Sequence, residues 1–329
     1  MTTMQHYYYC KLLDWIPLEQ RFYIQLSKNL AAIHFLEQNP DKIDWLGLSH
    51  NPKAIHILEK NLDKINWNNL SSNSAAIHLL EQNPDKINWN WLSINPAAIH
   101  LISEALKQNP DKINWYHLSQ NPKAIHILEQ NLDKINWYWL STNPSAIHLI
   151  SEALEQKPDK INWEILSFNP KAIHILEKNL DKINWTTLSH NPAAIHILEQ
   201  NLDKVNWCWL SENPKAIHIL EQNPEKIDWL RLSRNPAAIH LLEQNLDKID
   251  WRYLSMNPAA IHILEQNPDK FNGWWSSNNP AIFTYEYDYK QIAEQRWPIN
   301  KEIIQNRFHP KNMKYFSGWG IEEFDDYEE

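Results

Sequence analysis

The sequence predicts an all-α protein, an α-solenoid of short two-helix repeats of about 22 residues with N- and C-terminal caps. Three observations carry this: a motif that recurs at a fixed interval, helix punctuation inside each copy, and helices too short to be stable without their neighbours. The recurrent histidines are His34, His56, His78, His100, His126, His148, His174, His196, His218, His240 and His262. Eight of their intervals are 22 residues and two are 26. A fixed period of this size marks a solenoid, and neither ankyrin nor tetratricopeptide repeats, at about 33 and 34 residues, fit it.

In the second copy the pattern reads Asn51-Pro52-x-Ala54-Ile55-His56-Ile57-Leu58-Glu59-x-Asn61, then Leu62-Asp63-Lys64-Ile65-Asn66-Trp67-x-x-Leu70-Ser71-x. Asn followed by Pro is a helix start, because Asn can cap free backbone N–H groups and Pro fits the first helical position. A first helix, here called A, is therefore expected from Asn51. Ala54, Ile55, Ile57 and Leu58 make its apolar face, and Asn61 is expected to end it in the left-handed conformation. The Asn-Pro-Asp-Lys stretch at 83–86 reads as a type I turn. Position 66 is Asn or Asp in all eleven copies, from Asp44 to Asn272, which suits the cap of a short helix B carrying Trp67, Leu70 and Ser71.

Helices this short are marginal alone, so each copy must be stabilised by its neighbours. The expected organisation is an N-terminal cap with half a repeat over 1–28, eleven repeats over 29–280, and a helical C-terminal cap with an acidic tail over 281–329. Two copies carry four extra residues, at 101–110 and 149–158. Four residues are about one helical turn, so helix A should lengthen there, and the two insertions, flanking one regular copy, could form a notch.

Composition excludes several functions. Only four glycines occur in 329 residues, too few for phosphate-cradling loops. A net charge of -9 disfavours phosphate-backbone binding and makes a nucleic-acid partner the weakest reading. No apolar run approaches the length of a membrane span and the N-terminus lacks a leader pattern, so an intracellular protein with no membrane partner is expected. Cys10 and Cys208 are the only cysteines, which suits a reducing compartment.

The eleven histidines invite a metal or proton-relay reading. A zinc site needs three or four converging ligands, and no copy supplies a second repeated His or a Cys beside the first. Each imidazole is instead expected at the edge of the helix A face, bonded to a backbone carbonyl or an Asn of the adjoining turn. The recurrent Asp-Lys pair reads as a surface ion pair of little individual worth. No copy differs from the rest as an active site would, so no enzyme, cofactor or metal is expected.

The copies do differ at the two positions after Trp and the one before the next Asn, spacings that share a helical face. Trp91, Trp139, Trp209, Tyr253 and Trp275 make the second of these positions aromatic, with Arg231 and Arg234 nearby. Aromatic and Arg side chains anchor protein interfaces, so these seven residues form a candidate protein-binding lane. A structural role in a particle, and stacking of single-stranded nucleic acid on the lane, are the alternatives.

The combined motif NPxAIHxLExNxDKIxWxxLSxNP, the opening LLDWIPL and the closing NRFHPKNMKYFSGWG resemble short tandem-repeat proteins encoded in many copies by large DNA viruses of algae and amoebae. The resemblance covers nearly the whole chain, with departures at Leu30, Ser74 and Gly273. It implies a viral protein that acts on a host or viral partner in the host cytoplasm or the virion, and it carries over no functional residue.

Overall fold

A computed structural model of the chain describes residues 8–16, 25–287 and 301. The repeats form an all-α solenoid. Each layer has a tight turn, a short A helix, a second tight turn and a short B helix; in the second layer the turns are 3-10, Pro52–Ala54 and Leu62–Lys64, around Ile55–Glu59 and Trp67–Ser71.

The local signals act largely as the sequence requires, with two corrections. The Asn51 side chain accepts from the Lys53 N–H, but the residues it caps are a 3-10 turn, and the α-helix starts only at Ile55. The A helix does not end on a left-handed residue. Asn61 has φ -138°, and its Nδ2 donates back to the Ile57 carbonyl at 2.9 Å, satisfying one of the carbonyls that a helix end leaves free. The Asn-Pro-Asp-Lys stretch is a single 3-10 turn, Pro84–Lys86. The cap of helix B is as expected, the Asn66 side chain accepting from the Asn69 N–H. Gly273 does not break its layer, since Asn272 still caps Gly273–Ser276.

Each layer buries Ala54, Leu58 and Leu70 completely and Ile57 and Ile65 nearly so, while Trp67 stays half-exposed. Two polar letters lie in this core. Asn51 is 2% exposed and Ser71 0%, and burying such groups is tolerable only when their hydrogen bonds are met. Ser49 Oγ donates to the Trp45 carbonyl at 2.7 Å and accepts from the Asn66 N–H at 2.9 Å, tying one B helix to the cap of the next. Asn51 Nδ2 reaches into the preceding layer, to the carbonyls of Ser27 (3.1 Å) and Asn29 (3.2 Å). The same bond to the preceding serine carbonyl recurs at Asn73, Asn95, Asn121, Asn143, Asn169, Asn191, Asn213, Asn235, Asn257 and Asn279.

The first member of this ladder decides the architecture. Among the described residues Asn29 has no complete layer before it in sequence, yet its Nδ2 donates to Ser277 O at 2.8 Å and Asn279 O at 3.1 Å, about 250 residues away and in the register of every other rung. The stack of layers in 12–284 therefore closes on itself, with last layer against first. Leu13 N–H donates to Ile282 O at 3.0 Å, and Trp15 meets Phe271 edge-on at 5.2 Å. The closing layer takes its first half, Asn279 to Phe283, from one end of the sequence and its B-side half, including Leu26 and Ser27, from the other. The ends of the array thus cover each other's apolar faces, where separate caps were expected.

Residues 283–287 are a strand, not the start of a helical cap: β2, Phe283–Tyr287, pairs with β1, Tyr8–Leu12. Lys11 and Glu286, from the two strands, meet at 2.7 Å. The helices and acidic tail expected further on, and the closing motif, lie outside the described residues. The two insertions lengthen helix A to ten residues each, Ile99–Gln108 and Ile147–Gln156.

Closure gives a direct test. Asn143→Ala in mid-array and Asn29→Ala at the seam each strip the partners from buried carbonyls, a loss of about 2 kcal/mol or more per site. Urea midpoints should fall by similar amounts; a seam variant as stable as the parent means the ends are not joined.

Candidate functional site

The closest interhelix contacts run between successive B helices. Successive A helices stand further apart, with grooves between them such as that lined by Leu36, Glu37, Trp45, Ile57 and Lys64. In a closed stack the short side is the inner one, so the B helices form the inner wall and the A helices the outer.

The histidines lie on the outer side. Eight of them, about half-exposed, each meet a glutamate of the preceding layer, as in His56 Nε2 to Glu37 Oε1 at 2.7 Å and His148 to Glu129 at 2.8 Å, while His34 meets Glu37 of its own helix at 3.5 Å. This corrects the expected bond to a carbonyl or Asn, because the partner comes from 19 residues upstream. His126 and His174 lack the pair. They follow the two lengthened helices, in which Ser103 and Ser151 occupy the glutamate position. No group of three or more His, Cys, Asp or Glu converges among the described residues.

The Asp-Lys pair also behaves differently from expectation. It closes among the described residues only at Asp41–Lys42 and Asp269–Lys270. In eight layers the lysine instead lies over the Trp ring of the preceding layer, as Lys64 does over Trp45 at 4.9 Å, an attraction of about 0.5–1 kcal/mol at exposed sites. The notch expected beside the insertions is present as two cavities flanking the regular helix Ile125–Glu129. One, of about 630 Å³, is lined by Glu129, Trp137, Leu149, Glu152 and Lys160; the other, of about 340 Å³, by Ser103, Lys107, His126 and Lys134.

The variable positions fall on the B helices, and their side chains touch from layer to layer. Trp91 stacks on His117 at 5.4 Å, Tyr116 meets His117 at 5.0 Å and Trp139 at 4.8 Å, and Tyr138 meets Trp139 at 5.0 Å. A second group has Phe168 parallel to His190 at 5.3 Å, His190 edge-on to Trp209 at 5.3 Å, and the Arg231 guanidinium over Trp209 at 4.3 Å. Tyr253 and Trp275 form a third, at 5.7 Å.

Of the residues singled out in the sequence, Trp91 is 44% exposed, while Trp139, Trp209, Tyr253 and Trp275 are half-buried against these neighbours. Arg231 and Arg234 share one partner, Glu212, at 2.9 and 3.2 Å. That hydrogen bond raises the Arg231 pKa above its usual value. Tyr116, His117, Phe168, His190 and Glu212 were not singled out, although each stands at one of the variable positions, which is the signal that could have found them. Burial lowers the His117 pKa from the usual 6.5, and its Nδ1 and that of His190 are buried without a hydrogen-bond partner. Cys208, one position before Trp209, has its thiol pKa raised, first by burial and then by Asp228.

No family model, curated protein or solved structure matches the chain. Fold and surface define a closed helical repeat protein with an aromatic inner lane. Among the described residues no helix is long and apolar enough to cross a membrane.

The shift at His117 fixes a sign. Its folded-state pKa lies below the unfolded 6.5, so the unfolded chain binds the proton more readily, and stability present above pH 6.5 is lost as pH falls below it. A urea series should show His117→Phe, which keeps a ring against Trp91, losing less stability than the parent between neutral pH and the acidic side of 6.5. Equal slopes would contradict it.

Proposed function

We propose that the chain is a non-enzymatic scaffold that binds a protein through the aromatic lane on its B helices. The observation that carries this is the run of rings from Trp91 to Tyr138, of which Trp91, Tyr116 and Tyr138 are each over two-fifths exposed. Large exposed rings in contact with one another make an apolar strip of the kind that marks an interaction surface, and rigid aromatics give contact area at low entropic cost. The letters that hold the layers together are fixed from copy to copy, and those on the lane vary, so recognition can differ along the lane without cost to the fold.

The rings are packed on one another, mostly edge to face, and the chain carries a net charge of -9, both of which disfavour a nucleic acid whose bases would stack on the lane. The viral origin that the repeat motif implies makes the partner a host or viral protein.

Replacing Trp139 and Trp209 together with Ala should leave the circular dichroism spectrum unchanged and abolish capture of specific partners from infected-host lysate. An unchanged set of captured proteins would remove the lane from consideration.

A further inference from the structure

Arginine is used sparingly in this chain. Lysine is the cation of every repeat, and the only arginines among the described residues are Arg231 and Arg252, on two consecutive B helices, and Arg234, in the turn after the first of them. Arginine is the side chain of choice where a planar carboxylate is to be held by two parallel bonds. Arg252 is bound to Asp250 at 2.8 Å and Arg231 is engaged by Glu212 and the Trp209 ring.

Arg234 is different. Its side chain is 47% exposed and its single bond is the 3.2 Å contact with Glu212, which leaves most of its five N–H donors without a partner among the described residues. The Glu212 carboxylate, which also lines the cleft beside Arg234, is only 12% exposed and serves two guanidiniums, so Arg234 has only a share of one carboxylate.

Arg234 lies at one end of a cleft of about 360 Å³, with Phe168 and His190 at the other and prolines between, among them Pro192 and Pro214. Phe168 is 51% exposed. The His190 ring is held flat against it at 5.3 Å.

We propose that this cleft takes an acidic peptide segment, a carboxylate side chain on Arg234 beside an aromatic residue against Phe168 and the prolines. The proposal rests on the lane reading and names its partner's chemistry. The size suits one or two side chains, and one guanidinium with donors to spare suits one carboxylate. A phosphate-rich strand fits poorly, because Glu212 and Asp250 stand beside the arginines and the chain carries a net charge of -9.

The test is fluorescence anisotropy with the full chain and a fluorescein-labelled Gly-Glu-Phe-Glu-Phe-Gly peptide, alongside its Gln analogue. The acidic peptide should bind about tenfold tighter than the analogue, the scale of one charge-assisted hydrogen-bonded contact. Arg234→Gln should erase that difference, while Trp91→Ala, at the far end of the lane, should not. Equal binding of the two peptides, no effect of Arg234→Gln, no binding of either at about 1 mM, or displacement of the acidic peptide by a single-stranded oligonucleotide would each overturn the proposal. If both peptides bind alike and the double Trp139→Ala and Trp209→Ala variant weakens both, the acidic preference fails and the lane reading stands. If that double variant changes nothing while Arg234→Gln does, the lane reading fails and the cleft stands.

Discussion

One buried side chain per layer governs this structure. The asparagine that opens each repeat accepts a backbone N–H from its own turn through Oδ1 and donates through Nδ2 to carbonyls of the layer before it. Asp has no donor to give and Gln would place its amide one methylene too far out, so the chemistry of the position admits little else. The amide is buried, and leaving such a group unpaired costs about 1–3 kcal/mol. A layer is therefore out of place unless its neighbour presents those carbonyls at the right height. In ten layers the serine hydroxyl at the end of the B helix adds a second fixed point by accepting the amide of the next cap; at Ser141, before the second lengthened helix, it does not.

Closure follows from repeating this constraint. A linear stack leaves one asparagine with no carbonyls to bond and two apolar faces in water, which is why open solenoids need caps. Here Asn29 finds its carbonyls in the last layer, and the two ends of the array complete one layer between them. The two lengthened helices do not disturb the ladder, because their extra turn is added at the far end of helix A, away from the asparagine and serine. Asn121 and Asn169, the rungs that follow them, bond as the others do.

The two walls divide the labour. Outside, where the layers splay, long side chains bridge the gaps in exposed pairs, His to Glu and Lys to Trp, each worth little singly. Inside, where B helices pack closely, the positions not needed for packing carry rings and arginines that vary from layer to layer. The letters that hold the layers together and the letters that vary thus occupy different faces of the B side of each layer, so positions such as Arg234 and Phe168 can change without touching the core.

The sequence alone determined whatever is decided within one copy: the two helices, the Asn or Asp cap of helix B, the lengthening of helix A at 101–110 and 149–158, and the face shared by the variable positions. These depend on period, capping chemistry and turn residues, all local. It did not determine the partners of the histidines and lysines, which come from the adjacent layer, nor the contacts that half-bury Trp139 and Trp209. Nor could it show that Asn29 meets Ser277. Whether a stack closes depends on a small rotation between layers summed around the array, and that rotation is set by how the side chains of two layers fit together in three dimensions, which only the tertiary structure decides.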